Sequence, residues 1–220
     1  MRRVVGSNPE LEQVATGFHF LEGPVWHPAH RHLIFSDILG DRLYRWGPKV
    51  GVTMLRQPSH MANGNTLDQQ GRLLTCEHAT SRVTRTANDG QTEGLASHYG
   101  NKELNSPNDI VVKRDGTIVF TDPNSGRGPR FGIAREQELA FQGLFRLDPD
   151  DRSLVLLADD KIETVLREGL REHQHVDPDV AQALQSLRHL GQRPGVGRAP
   201  QRDHAQPRGR DDRREVKALR

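Results

Sequence analysis

The chain has 220 residues, 34% of them hydrophobic and 27% charged, with a formal net charge of +2. That length allows one or two ordinary domains, but the apolar content is lean for a chain that buries a core throughout. A single cysteine, Cys76, excludes an internal disulfide, and no run approaches the ~20 apolar residues of a membrane helix, so a cytoplasmic protein without a membrane partner is expected.

The elements divide into two kinds of sequence. All seven Phe, two Trp and two Tyr lie at or before Phe145. Beyond residue 160, Arg, His, Gln, Pro and Asp accumulate, and residues 188–220 carry ten Lys or Arg against four Asp or Glu. That net of +6 leaves −4 for residues 1–187. The expected organisation is therefore a structured unit over 1–160 and an Arg-rich tail over 161–220.

Short β-branched or aromatic runs bounded by Gly, Asp, Asn and Pro predict strands through the first unit. Three of them are similar: "HLIFSD" (32–37), "RLLTCE" (72–77) and "TIVFTD" (117–122). Leu33, Leu73 and Ile118 are spaced by 40 and 45 residues. About four strands per repeat of that length is the pattern of β-propeller blades. The strands that follow read "RLYRW" and "VTMLR", then "RVTRT", then "GLFRLD" and "SLVLLA". "NDG" (88–90) and "RDG" (114–116) suit tight hairpins, since Gly and Asn accept positive φ at little cost. The fold class predicted is all-β, a propeller with three blades in this chain.

The strand preceding each run starts at Glu22, Asn63 and Asn108, at equivalent places in successive repeats. In a propeller the first strand of each blade is innermost, and its start opens on the central channel. Equivalent positions then converge on one axis as a ring of oxygen donors. A carboxylate with amide oxygens suits a hard divalent cation, which polarises a carbonyl and acidifies a bound water. Ester or lactone hydrolysis is the natural use. Short polar residues are also common in turns before strands, which is the plainer reading of Asn63 and Asn108. Glu22, wedged in "LEGPVW", needs a partner or a cation to offset its desolvation.

"FLEGPVWHP", "ANGNTLDQQGRLLTCEH", "LNSPNDIVVKRDGTIVFTDP" and "GLFRLDPDD" together resemble the gluconolactonase and regucalcin (senescence marker protein) family over roughly residues 10–160. The resemblance implies a six-bladed propeller that hydrolyses a small-molecule sugar lactone with a divalent metal (calcium, magnesium or zinc) in its channel. It implies Glu22 as a metal ligand and Asn108 as a contact to substrate or metal. Asn63 and His78 match family positions without an implied ligand role.

The family's later ligands, an Asn in "PNG" and an Asp in "DG" that serves as general base, have no counterpart past Asp160. No catalytic base is therefore assigned in this chain, and lactonase activity is expected to be impaired or lost. A non-catalytic propeller fragment, calcium-binding or serving as an interaction scaffold, is the alternative. Three open blades are also expected to be poorly stable alone. For the tail, a shifted reading frame is the favoured account, beside a disordered extension and a binding module. The last would rest on a helix from Asp177 to Gly191 with Val180, Leu184 and Leu187 on one stripe. Nucleic acid is not expected as a partner, because the basic run lacks aromatic residues for stacking.

Other motifs carry less. His27, His30 and His32 in "HPAHRH" predict a solvated turn rather than a metal site. Cys76 predicts a small buried residue. "NSGRGPRFG" (124–132) predicts a long loop at the channel mouth with no helix, where Arg127 or Arg130 could meet an anionic substrate.

Overall fold

The computed structural model describes residues 12–159. The expected tail, its helix and the boundary at 160 lie outside the described residues.

Three four-stranded antiparallel sheets follow one another, each a simple meander. The first contains β1 (Leu21–His27), β2 (His32–Asp37), β3 (Arg42–Gly47) and β4 (Gly51–Arg56). The second contains β5 (Ala62–Leu67), β6 (Leu73–Glu77), β7 (Arg82–Thr86) and β8 (Thr92–Ala96). A ribbon of β9 (His98–Tyr99) and β10 (Lys102–Glu103) leads to the third. That sheet contains β11 (Ile110–Val112), β12 (Ile118–Asp122), β13 (Gly143–Leu147) and β14 (Leu154–Ala158). These are three blades of a β-propeller, as the 40- and 45-residue spacing predicts.

The blades stack because both faces of each second strand are apolar, and side chains alternate across a strand. Ile34 and Leu43 pack on Ala62 and Leu73 between the first and second blades. Leu74, Cys76 and Val83 then meet Ile118, Phe120 and Phe145 between the second and third. Cys76 is buried in that layer, where burial pushes its thiol up and leaves it an inert packing group.

The acid that ends each second strand ties down the incoming chain. Asp37 accepts the amides of Phe20 (2.9 Å), His19 and Gly40. Burial pushes its carboxyl up, but these donors outweigh that and hold it below the ordinary range. Glu77 is fully buried and accepts from Arg82 (2.7 Å), Arg56 (3.1 Å) and Thr80 (2.6 Å). Asp122 accepts the Asn105 amide at 2.8 Å.

One histidine of the "HPAHRH" hairpin departs from expectation. His27 and His32 form the last register pair of β1 and β2, and His27 is buried rather than solvated. Its ring stacks on His30 at 4.2 Å and 6°. Burial and the neighbouring His27, Arg45 and His30 hold the His32 pKa down. The turn itself, residues 28–31 with His30, is exposed as expected, and only His27 departs from a solvated setting.

Candidate functional site

Two glycines let the inner strands approach head to head. Gly23 has φ +56°, and a Cβ there would lie 2.0 Å from the Asn63 carbonyl oxygen. A Cβ on Gly64 would lie 2.4 Å from the Asn108 carbonyl oxygen, which instead accepts the Gly64 amide at 2.7 Å. The Asn65 amide nitrogen reaches the Gly23 carbonyl (3.0 Å) and Ser36 Oγ (2.7 Å), and Ser36 donates to the Asn63 carbonyl at 2.7 Å. β1 and β5 both break register just past these positions, between Glu22 and Val25 and between Ala62 and Asn65. Such bulges re-aim the flanking side chains.

The result is one cavity of about 500 Å³ lined by Glu22, Asn63, Asn108 and Asp109, with Phe35 and Trp46 on its apolar side. The structure thus brings together the three strand heads that the repeat predicted. Burial pushes the Asp109 carboxyl up, an amide bond from Ile110 opposes this, and the charge of Glu22 raises it further. Two carboxyls and two amides present oxygen donors only, which suits a hard divalent cation in type. Among the described residues, no three His, Cys, Asp or Glu side chains are grouped to hold a metal ion.

His78 is a positioning residue. It is buried, and burial followed by the Arg135 charge holds its pKa down despite a bond to the Phe131 carbonyl. Its Nδ1 lies 2.7 Å from that carbonyl and its Nε2 lies 3.1 Å from the Asn63 amide nitrogen. A neutral ring donating from Nδ1 and accepting at Nε2 satisfies both bonds and orients Asn63.

Residues 123–142 form the long loop, with one 3-10 turn at Ser125–Arg127 that the sequence did not predict. The loop reaches back across the arc: Phe131 packs on Phe20 at 5.2 Å, and Arg135 donates to the His78 carbonyl at 3.0 Å. Arg127 does not line the cavity. It is buried and donates to the carbonyls of Asn105 (2.9 Å), Leu104 and Glu136, and pairs with Glu103 at 2.7 Å. Arg130 instead lies over the Phe131 ring at 4.8 Å. Arg127→Leu is expected to cost roughly 2 kcal/mol by stranding these acceptors, with faster proteolysis inside 123–142 as the readout.

The cavity residue to which the sequence assigned no role is Asp109. Its signal was positional: it follows Asn108 as Gly23 follows Glu22 and Gly64 follows Asn63, the one carboxylate in that place.

A gluconolactonase of solved structure from Xanthomonas campestris is 41% identical, with a TM-score of 0.64, covering 66% of this chain and 50% of that one. The gluconolactonase of Zymomonas mobilis is 28% identical over 64% of this chain and 44% of its own length. The pentonolactonase XacC of Haloferax volcanii is 29% identical over 62% of this chain and 42% of its own. The chain therefore spans about half the length of the relatives it matches. Residues 20–164, from the approach to β1 to beyond β14, match the SMP-30/Gluconolactonase/LRE-like region, and the chain belongs to that family.

Proposed function

We propose that this chain carries one side of a sugar-lactone hydrolase site that works with a divalent cation (calcium, magnesium or zinc). The observation that carries the reading is the convergence of Glu22, Asn108 and a desolvated Asp109 on one cavity. The similarity to gluconolactonases and a pentonolactonase supports a lactone of a sugar acid as substrate.

When bound, the cation would supply Lewis-acid polarisation of the lactone carbonyl and a more acidic water. The chain's own residues divide the remaining work. Glu22 and Asp109 supply the negative charge that holds a cation, and their mutual repulsion is relieved by it. Asn108 bonds the sugar or completes the donor set. His78 commits the Asn63 side-chain nitrogen, so the side-chain oxygen, Asn63 Oδ1, is the atom available to a ligand. The apolar wall of Phe35 and Trp46 excludes water from one side of the cavity. Among the described residues none is assigned the role of the general-base Asp, and turnover by this chain is expected to be low or absent.

Titration calorimetry with Ca²⁺, Mg²⁺ and Zn²⁺, beside δ-lactone hydrolysis, tests the reading. Glu22→Gln is expected to weaken cation binding by about tenfold or more, in line with loss of one charged ligand. Binding that is unchanged in both Glu22→Gln and Asp109→Asn would refute the assignment. Cation binding with no turnover would leave the chain as a cation-binding scaffold.

A further inference from the structure

The cavity that holds Glu22, Asn108 and Asp109 has two chemically separate parts. Its polar groups gather at the strand heads, and several of them are already spent. The Asn65 amide nitrogen bonds the Gly23 carbonyl and Ser36 Oγ, and its oxygen accepts Thr75 Oγ1 at 3.0 Å. The Asn63 side-chain nitrogen is held by His78. A ligand therefore meets Glu22, Asp109, Asn108 and Asn63 Oδ1, all beside the starts of β1, β5 and β11.

An apolar part of the lining leads away from those heads. Phe35 lies nearest, next to Ser36, the register partner of Glu22. Leu33 is two residues along the same face of β2, Trp46 pairs with Leu33 from β3, and Val52 pairs with Trp46 from β4. From β2 to β4 this row crosses two strand spacings, about 10 Å. Val14 and Phe18 of the incoming segment line the same cavity, and Phe18 is set edge-on to Phe35 (5.4 Å) and Tyr44 (5.2 Å).

A sugar lactone carries hydroxyls around its ring, and any turned toward this row would lose water without gaining a partner. A volume of about 500 Å³ also falls in the range of sites that bury drug-sized ligands. We infer that the cavity takes an amphipathic lactone, with its ester group at the strand heads and a linear alkyl substituent along the row from Phe35 to Val52. Burying that chain is favourable in proportion to the apolar area it removes from water. The inference rests on the reading that the strand heads receive a lactone, and it adds the class of substituent.

The full 220-residue chain is titrated, with Ca²⁺ present, with δ-valerolactone and with δ-lactones bearing propyl and pentyl chains. Calorimetry gives each Kd, and tryptophan emission follows binding because Trp46 lines the row. Affinity is expected to rise about two- to fourfold per added methylene, and glucono-δ-lactone is expected to displace the pentyl lactone. Val52→Gln alters the row, and Val14→Ser alters a residue that is 51% exposed. Each is expected to fold by far-UV circular dichroism and to cut the gain from the unsubstituted to the pentyl lactone by about tenfold. Affinity that is flat with chain length, while Glu22→Gln still weakens cation binding, overturns this inference and leaves the lactone reading in place. An undiminished gain in both variants, or a pentyl lactone that glucono-δ-lactone leaves bound, places the alkyl chain elsewhere and overturns it too. A chain-length gain that both variants reduce, beside cation binding unchanged in Glu22→Gln and Asp109→Asn, supports the alkyl row and removes the cation from the site.

Discussion

Gly23→Ala is expected to destabilise the chain by about 3 kcal/mol or more and to pull the head of β1 away from β5. Two independent causes act at the same atom. The backbone there has φ +56°, which L side chains adopt with strain, and the new methyl would sit 2.0 Å from the Asn63 carbonyl oxygen and 2.8 Å from the Asn65 amide nitrogen. Neither neighbour can yield cheaply. The carbonyl accepts Ser36 Oγ, and the Asn65 side chain bonds Gly23 itself, Ser36 and the Asn63 carbonyl. Urea unfolding measures the loss, and cation titration reports whether Glu22 has left the cavity. Gly94→Ala is the control: nothing lies within 4 Å of its Cβ position, so a change of no more than about 1 kcal/mol is expected. Equal losses at the two glycines would contradict this account.

The second large effect is a dependence of stability on pH centred on Asp122. Burial pushes this carboxyl from 3.8 up to about 7, against the opposing amides of Asn105 and Ser106 and the Arg127 charge. One of its oxygens, Oδ1, is buried without a hydrogen-bond partner, as is the Asn105 Oδ1. Its folded pKa lies above its unfolded one, so the folded chain holds this proton where the unfolded chain has released it. The contribution is therefore fully present below about pH 4 and is lost as pH rises to about 7. At ~1.4 kcal/mol per tenfold change in proton affinity, the loss amounts to at most roughly 4 kcal/mol. Urea midpoints across that range should fall for the natural chain and stay nearly level for Asp122→Asn, which is uncharged at every pH. A fall of equal size in Asp122→Asn would place the dependence on other groups.

The repeat was readable because strand alternation and turn chemistry are local. Leu33, Leu73 and Ile118 announce their strands through immediate neighbours, and the hairpin at Gly116 through one residue of positive φ. The heads of the inner strands were readable for the same reason, since equivalent places in a repeat share an environment. The role of Asp109 was not, because its raised pKa comes from burial and from the charge of Glu22, distant in sequence. Arg127 misled for a related reason. An arginine among glycines suggests exposure, yet the carbonyls of Leu104, Asn105 and Glu136 and the carboxylate of Glu103 surround it only after the loop folds back. His27 was misjudged likewise, since stacking on His30 depends on how the hairpin closes.

The amino-acid order alone determined that this chain builds four-stranded blades with oxygen-bearing residues at their inner ends, because period-two burial and turn geometry act over a few residues. Only the tertiary structure decided which of those residues share a cavity and which charges are desolvated. Those properties arise between blades, where sequence separation no longer measures distance.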